Sequence, residues 1–218
     1  MGNVAKFFVD GGVWMYPIAL MSVIGVAIII ERFIFLFFKY NINGNAFMAQ
    51  IQKLVMANNI DRAIKLCNAA PSAALPKVIK SGLTRANKGE IEIQNAVEEA
   101  TLEVIPSITK RTNSLQAVAN LATLLGLLGT VIGLIQAFEA VAAAAPDQKA
   151  ALLTKSISIA MNTTAFGLIV AIPCMGAHVI LSGITKKIID EIDQYSVKLE
   201  NLLISRGKGA VGQVERAQ

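Results

Sequence analysis

Three uncharged runs, each long enough to cross a bilayer, limit what this chain can fold into. Hydrocarbon about 30 Å thick is spanned by about 20 helical residues. The first run is Gly11 to Ile30, followed by Glu31-Arg32 and a further apolar patch from Phe33 to Phe38. The second is Thr112 to Phe138 and the third is Ser156 to Thr185. Charged residues make up 16% of the chain and the hydrophobic set 54%, whereas an ordinary soluble domain carries about 25% charged residues. A soluble bundle that buried three such runs would be left with too little polar surface. The expected fold class is therefore all-α: a polytopic membrane protein with three transmembrane helices, long helices extending into the cytoplasm and a helical cytoplasmic insert.

The net charge of +5 could serve nucleic acid or hold loops on the cytoplasmic side of a membrane, and the placement of the charges decides. The basic residues are dispersed and mixed with acids, not gathered on one surface, so no nucleic-acid partner is expected. Lys39 to Arg111 holds ten basic and six acidic residues, and Lys186 to Gln218 holds six and five. Glu139, Asp147, Lys149 and Lys155 are the only charges between the second and third runs. The positive-inside tendency places both large polar segments in the cytoplasm and the N-terminus outside, with Lys6 a mild counter-signal. The expected layout is a periplasmic interfacial segment over 1–12, transmembrane helix 1 over 13–38 and a helical cytoplasmic insert over 39–112. Transmembrane helix 2 follows over 113–141, a short periplasmic turn over 142–154, transmembrane helix 3 over 155–185, and a cytoplasmic helix extension and tail over 186–218.

Residues 1–10, with Phe7, Phe8 and Val9 toward lipid, read as a short interfacial helix. Trp14 and Tyr16 suit an aromatic belt, and Pro17 suits the first turn of the span. The first run is too long and too aromatic for a cleaved signal peptide and reads as a retained span. In the insert, Phe47, Ile51, Leu54 and Val55 recur on one helical face. Asn58-Asn59 mark a break, and Ile60, Ala63, Ile64 and Cys67 mark the next helix. From Glu90 the pattern predicts one long helix running through Thr112 into the second span, kinked or split at Pro106.

Gly126, Gly129 and Gly133 give the second span one smooth face for a close neighbour. Their spacing supports a channel-forming interface and generic helix packing equally. Thr130 and Thr164 fall at comparable depth on antiparallel spans, where their hydroxyls can donate and accept but cannot titrate. Asn162, Thr163 and His178 add accessory polar groups, and His178 can serve transport or packing. No Asp or Glu occurs in Thr112–Phe138 or Ser156–Thr185. A proton path through hydrocarbon normally needs an ionisable group, so a conducting chain would take its carboxylate from another polypeptide. Glu31, beside Arg32, reads as an anchor or a local ion pair. Pro173 removes a donor inside the third span and can bend it. Cys67 and Cys174 are too differently placed to pair. The motifs of a metal cluster, a phosphate-binding loop or a nucleophile–base set are lacking, so neither enzyme activity nor any cofactor is expected.

Three stretches, Ile28–Arg32, Leu124–Gly133 and Thr163–Pro173, resemble the MotA/TolQ/ExbB proton-channel family, most closely its TolQ/ExbB branch. Their order and spacing cover the chain from about Asp10 to Glu200. The resemblance implies five copies around two copies of a single-span TolR/ExbD-like subunit that carries the titrating Asp. It also implies a TonB/TolA-like transducer, lipid contact, and location in the bacterial inner membrane. Thr130 and Thr164 correspond to the pore-facing threonines, and Gly126, Gly129, Gly133, Gly167 and Pro173 are read from the chain itself as packing positions of the pore wall. Proton motive force would then drive an envelope process or transport. Many members carry a glutamate five residues before the third-span threonine, where this chain has Ile159, with Ser158 as a polar but non-ionisable neighbour. The insert is too short for the flagellar stator branch. The alternative reading is a non-conducting membrane scaffold or adaptor.

Overall fold

The computed structural model describes residues 11–36, 42–71 and 73–215, with side chains through residue 206. The expected interfacial helix at 1–10 lies outside the described residues. All regular structure among them is helical: α1 Met15–Ile34, α2 Gly44–Met56, α3 Ile60–Asn68, α4 Ala74–Thr84, α5 Glu90–Thr109, α6 Thr112–Ala143 and α7 Lys149–Glu215. Two compact units result. One takes the chain up to Arg32 together with Arg111–Ile180; the other takes Phe33–Lys110 and everything from Leu181.

In the first unit α1, α6 and α7 are each long and apolar enough to cross a membrane. Helix α1 starts from a turn at Gly12, whose φ of +74° suits a residue without Cβ. Pro17 is its third residue, where the missing N–H would have had no partner within the helix. Only Met15, Ile18, Gly25 and Arg32 of α1 are buried. Leu20, Val23, Val26 and Ile30 stand exposed, as do Leu124, Leu127 and Val131 on α6 and Ile169, Ile172 and Val179 on α7. Apolar surface of that extent is costly in water and neutral in lipid. The chain is a multi-pass membrane protein.

The turn between α6 and α7 covers only residues 144–148. Alanine-rich sequence on both sides carries the helices inward from the wider 142–154 segment, and Pro146 separates them. Helix α7 has 67 residues; at about 1.5 Å per residue it is roughly 100 Å long, so much of it must lie outside hydrocarbon. Pro173 sits inside it without ending it.

In the second unit α2, α3, α4 and α5 pack in chain order. The Asn43 side chain caps α2 by accepting from the Ala46 N–H at 3.2 Å. The helix ends in a left-handed Asn58, φ 60°. Asn58 N–H donates to the Val55 carbonyl and Asn59 N–H to that of Leu54, the paired bonds of a Schellman cap. The distal part of α7 buries Leu181, Thr185, Ile188, Ile192, Tyr195, Leu199 and Leu203, steps of three or four that draw one stripe along the helix. Gly82 lets α4 approach: a Cβ there would lie 2.8 Å from both Leu199 Cδ2 and Val97 Cγ2.

The expected continuous helix from Glu90 into the second span is corrected. The chain turns at Lys110 and Arg111, and Arg111 adopts a left-handed φ of 61°. Pro106 stays within α5, near its end, and its carbonyl accepts the Lys110 N–H at 3.0 Å. The break therefore falls after the proline-containing turn. Arg111 leaves helical geometry there while its guanidinium pairs with Glu31.

Candidate functional site

The small residues of the second and third spans form one contact between α6 and α7. Gly126 faces Gly167: a Cβ on Gly126 would lie 3.3 Å from the Cα atoms of Gly167 and Thr164, and one on Gly167 would lie 2.7 Å from the Ala122 carbonyl oxygen. A Cβ on Gly133 would lie 2.9 Å from that of Ala160. Gly129 lies under the Thr163 side chain and close to Trp14. These four glycines are needed because the opposing groups are mostly backbone or short side chains with little room to move.

That close approach brings two hydroxyls together. Thr130 and Thr164 touch through their Oγ1 atoms, and each can donate to the Gly126 carbonyl, at 3.1 Å from Thr130 and 2.9 Å from Thr164. Three polar contacts share two protons, since each hydroxyl has one to give. Either both threonines donate to the carbonyl, or one donates to the other and that one to the carbonyl. The pair has more than one satisfied arrangement and can turn toward an added acceptor without stranding a buried carbonyl. Both threonines are half-buried, so the cluster is reachable from one side.

Thr163, by contrast, is buried and spends its hydroxyl on the Gly11 carbonyl at 2.9 Å and the Ile159 carbonyl at 3.2 Å. It ties the lead-in of α1 to α7. Asn162 lies along α7 with Thr154, Ser158 and Ile159 beside a shallow groove of its own helix, apart from the Thr130–Thr164 contact. His178 is half-buried and has no hydrogen bond among the described residues. Pro173 is exposed on α7, outside the glycine contact.

Glu31 accepts from Arg111 at the start of α6, and Arg32 is buried. Cys67 and Cys174 are both free and buried. Burial pushes the Cys67 thiol up to about 11, partly offset by the charge of Lys80, which disfavours its thiolate at neutral pH.

Sequence reading missed the parts of the site that carry no distinctive side chain. The Gly126 carbonyl is the shared acceptor, Ala122 and Ala160 complete the small-residue contact, and Gly25 fits α1 against Cys174, whose Sγ would be 2.7 Å from an added Cβ. A signal existed for the alanines. Ala122 lies one turn before Gly126, and Ala160 falls seven residues before Gly167, which continues each small-residue face.

A family model described as the MotA/TolQ/ExbB proton channel family matches residues 70–194. A putative biopolymer transport protein ExbB homolog of Methanothermobacter thermautotrophicus is 27% identical over 193 residues, covering 88% of this chain and 67% of the relative. A putative biopolymer transport protein ExbB-like 3 of Synechocystis is 32% identical over 166 residues, 74% of this chain and 77% of the relative. A biopolymer transport protein ExbB of Aquifex aeolicus is 37% identical over 86 residues, 38% and 53% of the two chains.

Proposed function

Because the chain belongs to the MotA/TolQ/ExbB proton channel family, we propose that it is a proton-channel subunit of an energy-transducing complex of the bacterial inner membrane. Five copies surround two single-span TolR/ExbD-like chains, and a TonB/TolA-like transducer passes the work to an envelope process or transport. Its N-terminus is periplasmic and its C-terminus cytoplasmic. It conducts without performing covalent catalysis.

The observation that carries this reading is the hydroxyl pair of Thr130 and Thr164 over the Gly126 carbonyl, in two runs, Thr112–Phe138 and Ser156–Thr185, that contain no Asp or Glu. A partner carboxylate brought to that cluster would accept from hydroxyls that can turn to meet it. Charged, it is costly in hydrocarbon and stays beside its donors. Protonated, it can cross the apolar wall, so proton binding gates movement. Ile159 removes an acid that many relatives have nearby, which leaves the partner's carboxylate as the titrating group of the path.

The scaffold reading has its own support: the hydroxyls are already satisfied within the chain, one by a carbonyl a turn back. Threonine-to-valine and threonine-to-serine exchanges separate the two. Hydrogen bonds to charged groups contribute about 1.5–3 kcal/mol, so Thr130→Val or Thr164→Val should slow proton flux about 10- to 100-fold in proteoliposomes. Thr130→Ser should retain most of it. No flux above that of empty liposomes in any form, the unaltered chain included, with assembly intact by native mass, would support the scaffold; equal measurable flux in all variants would contradict the hydroxyl role.

A further inference from the structure

Two exposed faces of the helical insert carry opposite charges around apolar residues. Lys53, Arg62 and Lys65 rim a groove of about 610 Å³ on α2 and α3, walled by Leu54 and Leu66. None of these cations makes an ion pair among the described residues. On α5, Ile91 is 72% exposed and Leu102 is 64% exposed. Glu98 lies seven residues after Ile91 and four before Leu102, so the three share one face, flanked by Glu99. Glu103 is engaged by Lys77, and Glu92 by Arg85 and Lys88. Glu98 and Glu99 have no cationic partner among the described residues.

We infer that the α5 stripe of one copy docks in the α2–α3 groove of the next, so that the insert itself closes the ring of subunits. The inference rests on the homo-oligomeric reading above. Helices α2 to α5 pack in chain order, so groove and stripe belong to the opposite ends of a series. A contact that joins two different patches of the same chain repeats around an axis, and it closes into a ring when the rotation between copies closes; here the shared membrane plane and the closed oligomer of the reading above set that rotation. Ile91 and Leu102 supply the apolar contact, and the charges select partner and register. An anionic lipid or a foreign acidic segment would fill the groove and leave Ile91 and Leu102 in water. A second copy covers both faces at once.

The test uses the full complex in native membranes. Chains carrying both Lys65→Cys and Leu102→Cys should form, on oxidation, a ladder of covalent oligomers up to the closed ring. Each single variant should give no cross-link, and a mixture of the two singles should stop at dimers. Lys53→Glu with Arg62→Glu, introduced into the double-cysteine chain, should abolish the ladder. Adding Glu98→Lys and Glu99→Lys should restore it, and Glu98→Lys removes a like charge facing Glu200, so it should not unfold the insert. Self-cross-linking of either single variant would overturn the inference, as would a missing ladder in double-cysteine complexes that native mass shows to be rings. A native mass of one copy would instead overturn the oligomeric reading beneath it.

Discussion

The glycines of α6 and α7 differ in what surrounds them, and that difference predicts their tolerance. At Gly167 an added methyl meets the Ala122 carbonyl at 2.7 Å, and backbone must shift; at Gly176 it meets nothing within 4 Å. Overpacking costs about 1–3 kcal/mol. Gly167→Ala should therefore lower the melting temperature of the detergent-purified protein by several degrees, whereas Gly176→Ala should leave it unchanged or slightly raised. Equal shifts would contradict the close contact. At this scale the sequence was informative where side chains differ: Gly126, Gly129, Gly133, Thr130 and Thr164 stand out by spacing and by their polarity in an apolar run. It was silent on the Gly126 and Gly11 carbonyls, because a main-chain acceptor looks the same at every position. For Glu31 the sequence suggested an anchor or a local ion pair but could not name the Arg111 partner, which is 80 residues away.

Among the elements, the helices were legible from periodicity, but the break before the second span was not. Proline is the strongest local signal for a break, so Pro106 drew the expectation; the turn at Lys110-Arg111 comes from a positive φ on a residue type that rarely adopts one. Glu200, beside the buried stripe of distal α7, offers a test by pH. Glu200 has its carboxyl pushed up, first by burial and then by the charge of Glu98. Its folded form holds the proton more tightly than the unfolded form, so stability falls as pH rises from the ordinary glutamate value of 4.5 through the raised value. Glu200→Gln should flatten that part of the stability profile, read as melting temperature from pH 4 to 8. An unchanged slope would contradict the assignment. On the same stripe, Tyr195 donates its hydroxyl to Asn45 Oδ1 at 2.7 Å, and Tyr195→Phe should cost about 1 kcal/mol in the unfolding of the insert.

At the scale of the whole molecule, three apolar helices with mostly exposed faces account for membrane residence, and composition alone made that legible. What surrounds those faces was not, since lipid and a neighbouring subunit both accept apolar side chains and leave the same pattern in one chain. The central claim is that protons cross the membrane through a complex built on the Thr130–Thr164 cluster. The most direct measurement is acidification of dye-loaded liposomes that hold the complex purified from its own cell, under an imposed proton gradient. Acidification well above that of empty liposomes, and lost when the partner's membrane carboxylate is made an amide, is the predicted result. An intact complex that leaves the liposomes as proton-tight as empty ones would contradict it.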